Sequence, residues 1–241
     1  MTGDIIKLEG CYNFRDLGGL PCGNWGFTRK GKFYRADSLY GLTKGDIDTV
    51  RSLVIRCVID LRFENETGSK PNPLRGREGF DYYNISLLDG VYSNDYKNAF
   101  PESMADMYVG MVEEAKGQMT DIFRTIYKHR NDGIVFHCTA GKDRTGVVAA
   151  LLLSLAGVRP QIIIDNYAAT YELIKEVTDK QMEKARLAGF TIPISAMLSE
   201  PENMEIFLAH IKNKYGSAYE YMEQLGLSRE EINGLISALV I

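Results

Sequence analysis

The chain has few of the residues that build metal sites and disulfide frameworks. It holds four cysteines and three histidines in 241 residues, and neither a CxxC nor an HxxxH spacing occurs. Cysteines so few and so scattered exclude a disulfide scaffold. The missing ligand spacings argue against a structural zinc site. We therefore expect a reduced protein without a structural metal.

Long apolar runs and an excess of positive charge are missing too. The longest apolar run, residues 147–156, is about half the length that a membrane-spanning helix needs. The start MTGDIIKLEG lacks the basic-then-apolar pattern of a signal peptide. These absences predict a cytoplasmic protein with no integral membrane segment, and they leave export without a signal peptide open. The net charge of -4 argues against nucleic acid as a partner.

What is present is the composition of one globular domain. Hydrophobic residues make up 45% and charged residues 25% of the chain, as in ordinary soluble proteins. Two short apolar runs, residues 54–61 and Gly133–His137, predict buried strands, and residues 32–35 and 82–86 are weaker candidates. Each strong strand follows a predicted helix. That alternation predicts a single α/β domain, with a mainly parallel central sheet flanked by helices.

Caps and apolar spacing predict the helices. Capping-box signatures open three of them, at Thr43, Ser199 and Ser228. Helical spacing over residues 104–130 predicts one or two more, and an apolar helix should follow Gly146. Residues 64–79, rich in Gly, Asn and Pro, are predicted to be a surface loop. The C-terminal third, from residue 160 onward, is predicted to be helical.

The segment HCTAGKDRTG, residues 137–146, joins the second strong strand to the apolar helix. A turn that feeds a helix N-terminus points successive backbone N–H groups into one cavity of phosphate size. Gly141 and Gly146 permit the close backbone approach that such a turn needs. Cys138 starts the turn, where the same dipoles stabilise a thiolate. Arg144 can hold two phosphate oxygens with its fork of donors, and no other cysteine has an arginine six residues later.

This segment resembles the HCxxGxxR(S/T)G phosphate loop of cysteine-dependent protein-tyrosine and dual-specificity phosphatases. Two further segments, NFRDLGG at residues 13–19 and VIDLR at residues 58–62, are similar to segments of the bacterial tyrosine-phosphatase-like subfamily. The three occur in the subfamily's order, and the resemblance covers nearly the whole chain. The pair Lys142-Asp143 matches the GKDR variant found there, which is also similar to the loop of phosphoinositide 3-phosphatases. The resemblance implies a tyrosine-phosphatase-like α/β fold.

The resemblance also implies a covalent mechanism that uses neither metal nor cofactor. The Cys138 thiolate would attack phosphorus in line, and water would hydrolyse the resulting phosphocysteine. Arg144 and the loop N–H groups would hold the equatorial oxygens, and the Thr145 hydroxyl could donate to the leaving sulfur. His137 is predicted to be buried and structural. The expected phosphate-binding residues are those of the loop: Thr139, Ala140, Gly141, Lys142, Asp143, Arg144 and Thr145.

The general acid is the open assignment. The wider superfamily often carries it in a WPD segment, but this chain has none, and its single Trp is Trp25. Asp143 lies in the loop, where the GKDR subfamily has an Asp. Asp89, which follows a weak strand candidate, is the separate-loop alternative, and another carboxylate remains a third.

Other charged residues have two interpretations each. Arg15 and Asp16 either pair to stabilise a turn, or Arg15 forms a basic wall that contacts substrate. Asp60 and Arg62 form a structural ion pair, the favoured interpretation, or Arg62 contacts substrate. The Lys142 side chain faces either solvent or substrate, and a role in attracting polyanions is favoured.

The substrate is predicted to be a phosphorylated protein, with phosphotyrosine as first choice. Dual specificity or a phosphoinositide phosphatase is the alternative, and a catalytically silent phosphate-binding module or a rhodanese-like sulfur transferase is a weaker one. Residues 161–189 could form a helical lid over the pocket. Cys57 is expected to be an inert buried thiol. The oligomeric state stays unknown.

Overall fold

The computed structural model describes residues 3–23, 26–87, 103–189, 194 and 197–241. The strands are β1 (Arg15–Asp16), β2 (Phe33–Ala36), β3 (Ile55–Asp60), β4 (Asp81–Asn84) and β5 (Gly133–His137). The helices are α1 (Lys44–Ser52), α2 (Glu64–Ser69), α3 (Met104–Glu114), α4 (Lys116–Lys128), α5 (Asp143–Leu155), α6 (Pro160–Leu187), α7 (Pro201–Tyr215), α8 (Ala218–Gln224) and α9 (Arg229–Leu239).

The sheet has the strand order β1-β2-β5-β3-β4. Strands β2, β5, β3 and β4 are parallel, and only the short edge strand β1 is antiparallel. The predicted α/β fold with a mainly parallel sheet is confirmed. Because β5 lies in the middle, the segments that follow β2, β3 and β5 meet at one edge of the sheet, where parallel α/β folds place their sites.

Side chains of each strand alternate between the two faces of the sheet. In β5, Ile134 and Phe136 pack into the larger apolar core with α3, α4, α5 and the C-terminal helices. Val135 points the other way, into a smaller core that includes Ile47 and Val50 of α1. The sheet is therefore covered on both faces, which explains why its central strands read as nearly continuous apolar runs.

The predicted helix starts are confirmed at Thr43 and Ser228, where complete capping boxes form. The capping box predicted at Ser199 is wrong. Helix α7 begins at Pro201 with Glu200 as its N-cap and no side-chain cap bond. Proline lacks an N–H and has a helical φ, so it favours the first helical position and shifts the cap to the residue before it.

Two further predictions need correction. The apolar helix α5 begins at Asp143, not after Gly146, so the second half of the phosphate loop is the first helical turn. The stretch 64–79 is not all loop, since it begins with α2, where the Glu66 side chain accepts from the Phe63 N–H. In the described part of the chain, no helix combines the length and apolarity that crossing a bilayer requires.

Candidate active site

The predicted phosphate loop lies at the amino end of α5, directly after β5. Cys138 is 2% exposed at its start. The N-cap of α5, Lys142, makes no side-chain cap hydrogen bond. The first backbone N–H groups of α5 therefore have no intrahelical acceptor and no side-chain cap, which leaves a positive helix end next to the sulfur.

Gly141 fixes the path of the loop. Its φ is +67°, a left-handed conformation that glycine adopts without strain. A Cβ at this position would lie 2.4 Å from the carbonyl oxygen of Ala36, at the end of β2. The loop thus packs directly on the neighbouring strand, and only glycine permits this approach.

The carbonyl groups of the loop are tied to the protein behind it. Asn13 Nδ2 donates to the carbonyl oxygens of Ala140, at 3.1 Å, and Gly141, at 3.2 Å. Arg35 Nη2 donates to the same Gly141 oxygen at 2.7 Å. Within the described residues, the backbone N–H groups of 139–141 have no acceptor. The loop carbonyl groups are thus hydrogen-bonded to the protein, while the loop N–H groups are available to donate to an anion.

Asn13 and Arg35 were not predicted as site residues. A sequence signal existed for Asn13, which begins the NFRDLGG segment. Arg35 ends the weak strand candidate of residues 32–35, where an arginine normally indicates a solvent-facing position.

Arg144 makes a two-pronged ion pair with Glu66 of α2. Arg144 Nη1 lies 2.6 Å from Oε2, and Nη2 lies 3.0 Å from Oε1. The guanidinium also packs over the Phe63 ring, 4.8 Å from its centroid. Burial alone would lower the pKa of Arg144, but the Cys138 sulfur and the Glu66 carboxylate raise it above its usual value. Arg144 is thus a permanently charged donor held beside Cys138.

Glu66 is a site residue that the sequence analysis missed, because it falls in the stretch assigned to a loop. Thr139 Oγ1 also donates to its carboxylate. Burial would raise the pKa of Glu66, but the hydrogen bonds and charge of Arg144 hold it below its usual value. Glu66 therefore stays ionised against the loop at neutral pH.

Asp143, one of the two predicted acids, stands in the first turn of α5 with 24% of its side chain exposed. Its Oδ1 accepts from the Tyr108 hydroxyl at 2.6 Å, and that hydroxyl lies 2.7 Å from the Tyr167 hydroxyl. Burial and the charge of Asp143 raise the pKa of Tyr108, so its hydroxyl stays protonated as a donor. The alternative acid, Asp89, lies outside the described residues.

The Lys142 side chain does not face solvent. It is 2% exposed, and its Nζ donates to the Leu198 carbonyl at 3.1 Å and lies 3.4 Å from Asp143 Oδ1. Thr145 is also buried, and its Oγ1 has no hydrogen-bond partner in the described structure. An unsatisfied buried hydroxyl is costly, and this one lies in the first turn of α5, next to the loop.

Neither interpretation of the Arg15-Asp16 pair matches the structure. Arg15 is buried, and it donates to Asn13 Oδ1 and to the Asn166 carbonyl at 2.7 Å. Asp16 accepts from the N–H groups at 18 and 31 instead. The two side chains leave opposite faces of β1, as neighbours on a strand must, so Arg15 is not a wall of the pocket.

Asp60 and Arg62 form the ion pair favoured from the sequence, with Arg62 Nη2 2.7 Å from Asp60 Oδ2 and both side chains buried. His137 is also buried, and its Nε2 lies 3.3 Å from the same oxygen. Burial would raise the pKa of Asp60, but the charges and hydrogen bonds of His137 and Arg62 hold it far below its usual value. This cluster supports the loop from behind, between β3 and β5.

A cleft of about 290 Å³ borders the loop at Thr139. Arg62 and Glu66 line this cleft, together with Val177 and Gln181 of α6. The segment predicted as a possible lid, residues 161–189, is one continuous helix up to Leu187. In the described residues, no group of three or more His, Cys, Asp or Glu side chains is arranged to hold a metal ion.

The sequence of this chain is similar to sequences of known phosphatases. The model of the family described as "Tyrosine phosphatase family" matches residues 6–241. The chain is 33% identical to a tyrosine-protein phosphatase of Nostoc commune, over 84% of this chain and 72% of that protein. It is 25% identical to the triple specificity protein phosphatase PtpB of Mycobacterium tuberculosis, over 98% of this chain and 99% of PtpB.

Among solved structures, P. aeruginosa TpbA aligns with 58% of this chain and 69% of its own, at 11% identity and a TM-score of 0.33. That likeness is too low to support an argument. The family match over nearly the whole length and the identity to the Nostoc enzyme are sufficient: the chain belongs to the tyrosine phosphatase family.

Proposed function

We propose that the protein hydrolyses phosphate monoesters through a phosphocysteine on Cys138, with phosphotyrosine in proteins as its substrate. The observation that carries this proposal is the uncapped amino end of α5, which brings Cys138, Arg144 and unpaired backbone donors to one loop. A dianionic phosphoryl group matches that set of donors in charge and size.

In the first step the Cys138 sulfur attacks phosphorus and the bond to the leaving oxygen breaks. The N–H groups of the loop and the Arg144 guanidinium hold the three equatorial oxygens as negative charge redistributes. Glu66 uses one hydrogen on each of Nη1 and Nη2, and a guanidinium has five. The second Nη1 hydrogen points to the Leu61 carbonyl and the second Nη2 hydrogen to Thr139 Oγ1, each at a long 3.4 Å. The Nε hydrogen therefore remains for phosphate, and the Nη2 hydrogen becomes available when phosphate displaces the Thr139 contact.

Asp143 is our choice for the general acid. Its Oδ1 is occupied by Tyr108, which leaves Oδ2 to carry the proton that goes to the leaving oxygen. In the second step the Asp143 carboxylate takes a proton from water as that water attacks the phosphocysteine, and Cys138 leaves as thiolate. The buried Thr145 hydroxyl, which has no other partner in the described structure, would donate to the departing sulfur. No step uses a metal.

The substrate choice rests on the family and on the cleft. The relatives are named tyrosine-protein phosphatase and triple specificity phosphatase. The side chains of Tyr12 and Tyr40, each about half exposed, line the cleft beside the loop. Such exposed aromatic faces suit the ring of a phosphotyrosine. The burial of Lys142 weakens the argument for a polyanionic lipid.

Steady-state hydrolysis of an aryl phosphate tests the reaction class. The assay contains EDTA and a reductant, and compares wild type with Cys138→Ser. We expect turnover in the wild type and loss of nearly all of it in the variant, which should still bind phosphotyrosine peptide. Variant turnover near that of the wild type would reject the covalent route. Faster hydrolysis of a phosphoinositide than of phosphotyrosine, phosphoserine and phosphothreonine peptides would reject the substrate assignment.

A further inference from the structure

Two arginines lie inside the protein behind the phosphate loop. Arg15 and Arg35 face each other across β1 and β2, and their exposed fractions are 0% and 1%. In the described part of the chain, neither has a carboxylate within ion-pair distance, and the Nε of each lacks a hydrogen-bond partner. Both guanidinium groups bind carbonyl, amide and hydroxyl oxygens instead.

Such an arrangement is costly unless another negative charge compensates for it. Removing a cation from water without a paired anion is strongly unfavourable. The two arginines also repel each other, since burial and then the charge of Arg35 lower the pKa of Arg15. Asp37 offsets part of this cost at Arg15, but in the described part of the chain no carboxylate forms an ion pair with Arg35, so most of its compensating charge must come from another group.

The position of Arg35 indicates which group supplies the compensating negative charge. Arg35 Nη2 lies 2.7 Å from the Gly141 carbonyl oxygen in the middle of the loop. It would lie 3.7 Å from a Cβ at Gly146, in the first turns of α5. Arg35 Nη1 donates to Asn166 Oδ1 at 2.8 Å, which anchors the guanidinium to α6. The cation is thus directly beneath the loop that carries the nucleophile.

Charged and titratable groups from every packed element surround Arg35. They are Arg15 on β1, Cys138 in the loop, Tyr108 on α3, Asp143 on α5 and Tyr167 on α6. Burial lowers the pKa of Arg35 to about 10, and among the groups that oppose this decrease the Cys138 sulfur has the largest effect. Arg35 is therefore still charged at neutral pH, and its strongest electrostatic partner is the nucleophile.

We propose that Arg35 is a positioning residue that gives the phosphate loop a second positive charge from behind. The Cys138 thiolate is its counter-charge in the free protein, and the bound phosphoryl group shares that role in the complex. Arg35 acts through the Gly141 carbonyl and through space, and it does not touch substrate. This inference rests on the proposed role of Cys138 as nucleophile.

The thiolate titration of Cys138 tests the proposal. The rate of alkylation by iodoacetamide is measured against pH, and Cys138→Ser supplies the background from the three other, buried cysteines. Arg35→Gln removes the charge but keeps an amide donor for Gly141. We expect the alkylation midpoint of Arg35→Gln to rise by about one unit, a tenfold loss of thiolate below the midpoint. Arg35→Lys, which keeps a charge, should shift it less.

Arg15→Gln is the matched control, because it removes an equally buried guanidinium on which Cys138 does not act. Its midpoint should stay within about 0.3 units of the wild type, although its stability should fall. An unchanged midpoint in Arg35→Gln, or an equal shift in Arg15→Gln, would overturn the proposal and leave Arg35 a structural role.

A measurement on the wild-type chain covers the case in which the variants do not fold. The NMR resonances of the Arg35 guanidinium should shift with pH through the Cys138 titration, and this shift should vanish in Cys138→Ser. Its absence in the wild type would also overturn the proposal. Turnover by Cys138→Ser would refute the proposed function, whereas the alkylation midpoints separately test the electrostatic coupling of Arg35 to the Cys138 thiol.

Discussion

Glu66 and Arg144 are 78 positions apart in the sequence, yet their side chains form two parallel hydrogen bonds at the phosphate loop. Paired planar groups of this kind fix orientation as well as distance. The Phe63 ring stacks on the guanidinium and further restricts the orientation of the Arg144 side chain. The arginine is therefore oriented before substrate arrives, and this relationship yields the first prediction.

Glu66→Gln should lower kcat by about tenfold with a smaller change in KM. The amide keeps the size of the side chain but loses the charge and one of the two acceptors, so Arg144 is no longer held in a single orientation. Aryl phosphate kinetics measure the effect. Glu64→Gln, on the same short helix, is the control and should behave as wild type. An increase in kcat would instead mean that Glu66 competes with substrate for Arg144.

Asp143→Asn should slow poor leaving groups much more than good ones. A general acid matters most when the leaving oxygen is basic, so phenyl phosphate should lose about 100-fold or more in kcat and p-nitrophenyl phosphate about tenfold or less. Tyr108→Phe removes the hydrogen bond to Oδ1 and keeps the carboxylate, so it should show a smaller loss with the same trend. Equal losses for all leaving groups would assign Asp143 to loop architecture and favour Asp89 as the acid.

The parts of the fold that could be predicted from sequence are those with a local signal. Strand β5 was predicted with its observed ends because a β-branched apolar run is bounded by a glycine and a polar loop. Helix α1 was predicted from the Thr43 capping box. Helix α2 was missed because ENETGS has no apolar periodicity, and its position depends on the contact with the loop.

The candidate site also contains residues with a local sequence signal and residues without one. The loop that contains Cys138, Gly141 and Arg144 could be predicted because the residues that define it lie within seven consecutive positions, between a strand and a helix. Glu66 and Arg35 could not, because each reaches the loop from a distant segment, and no local pattern separates a buried arginine on a strand from an exposed one. The same error occurred with Lys142, whose charge suggested exposure to solvent or substrate although packing against Leu198 and Asp143 buries it.

Helix α6 should lose mobility when the phosphate loop is occupied. The C-terminal half of α6 borders the cleft beside the loop, where Val177 and Gln181 line it. Hydrogen exchange of Cys138→Ser with and without tungstate, an oxyanion that mimics phosphate, should show increased protection between residues 171 and 187. Peptides from α9, which does not line the cleft, are the control. If the loop peptides are protected and residues 171–187 are unchanged, α6 is a wall of the cleft and not a lid.

The last prediction concerns acid stability and the link between α3 and α7. The Glu113 carboxylate on α3 accepts from Lys214, from His210 Nε2 at 2.7 Å and from the Tyr215 hydroxyl at 2.7 Å. Burial alone would raise the pKa of Glu113, but these three hydrogen bonds lower it to about 2. In the unfolded chain the value is about 4.3, so folding favours the ionised form. The stabilisation is therefore complete above the unfolded value and is lost as the pH falls towards 2.

Glu113→Gln should accordingly destabilise the protein by about 1 kcal/mol at pH 6, a value reduced by solvent screening of this partly exposed group. The difference between wild type and variant should shrink as the pH falls from 6 to 3, since wild-type Glu113 loses its charge advantage there. Urea unfolding at each pH measures both free energies. Glu114→Gln, the neighbouring residue, is the control and should show no pH-dependent difference. A difference for Glu113→Gln that stayed constant over this range would mean that hydrogen-bond geometry, and not the charge of Glu113, holds α3 to α7.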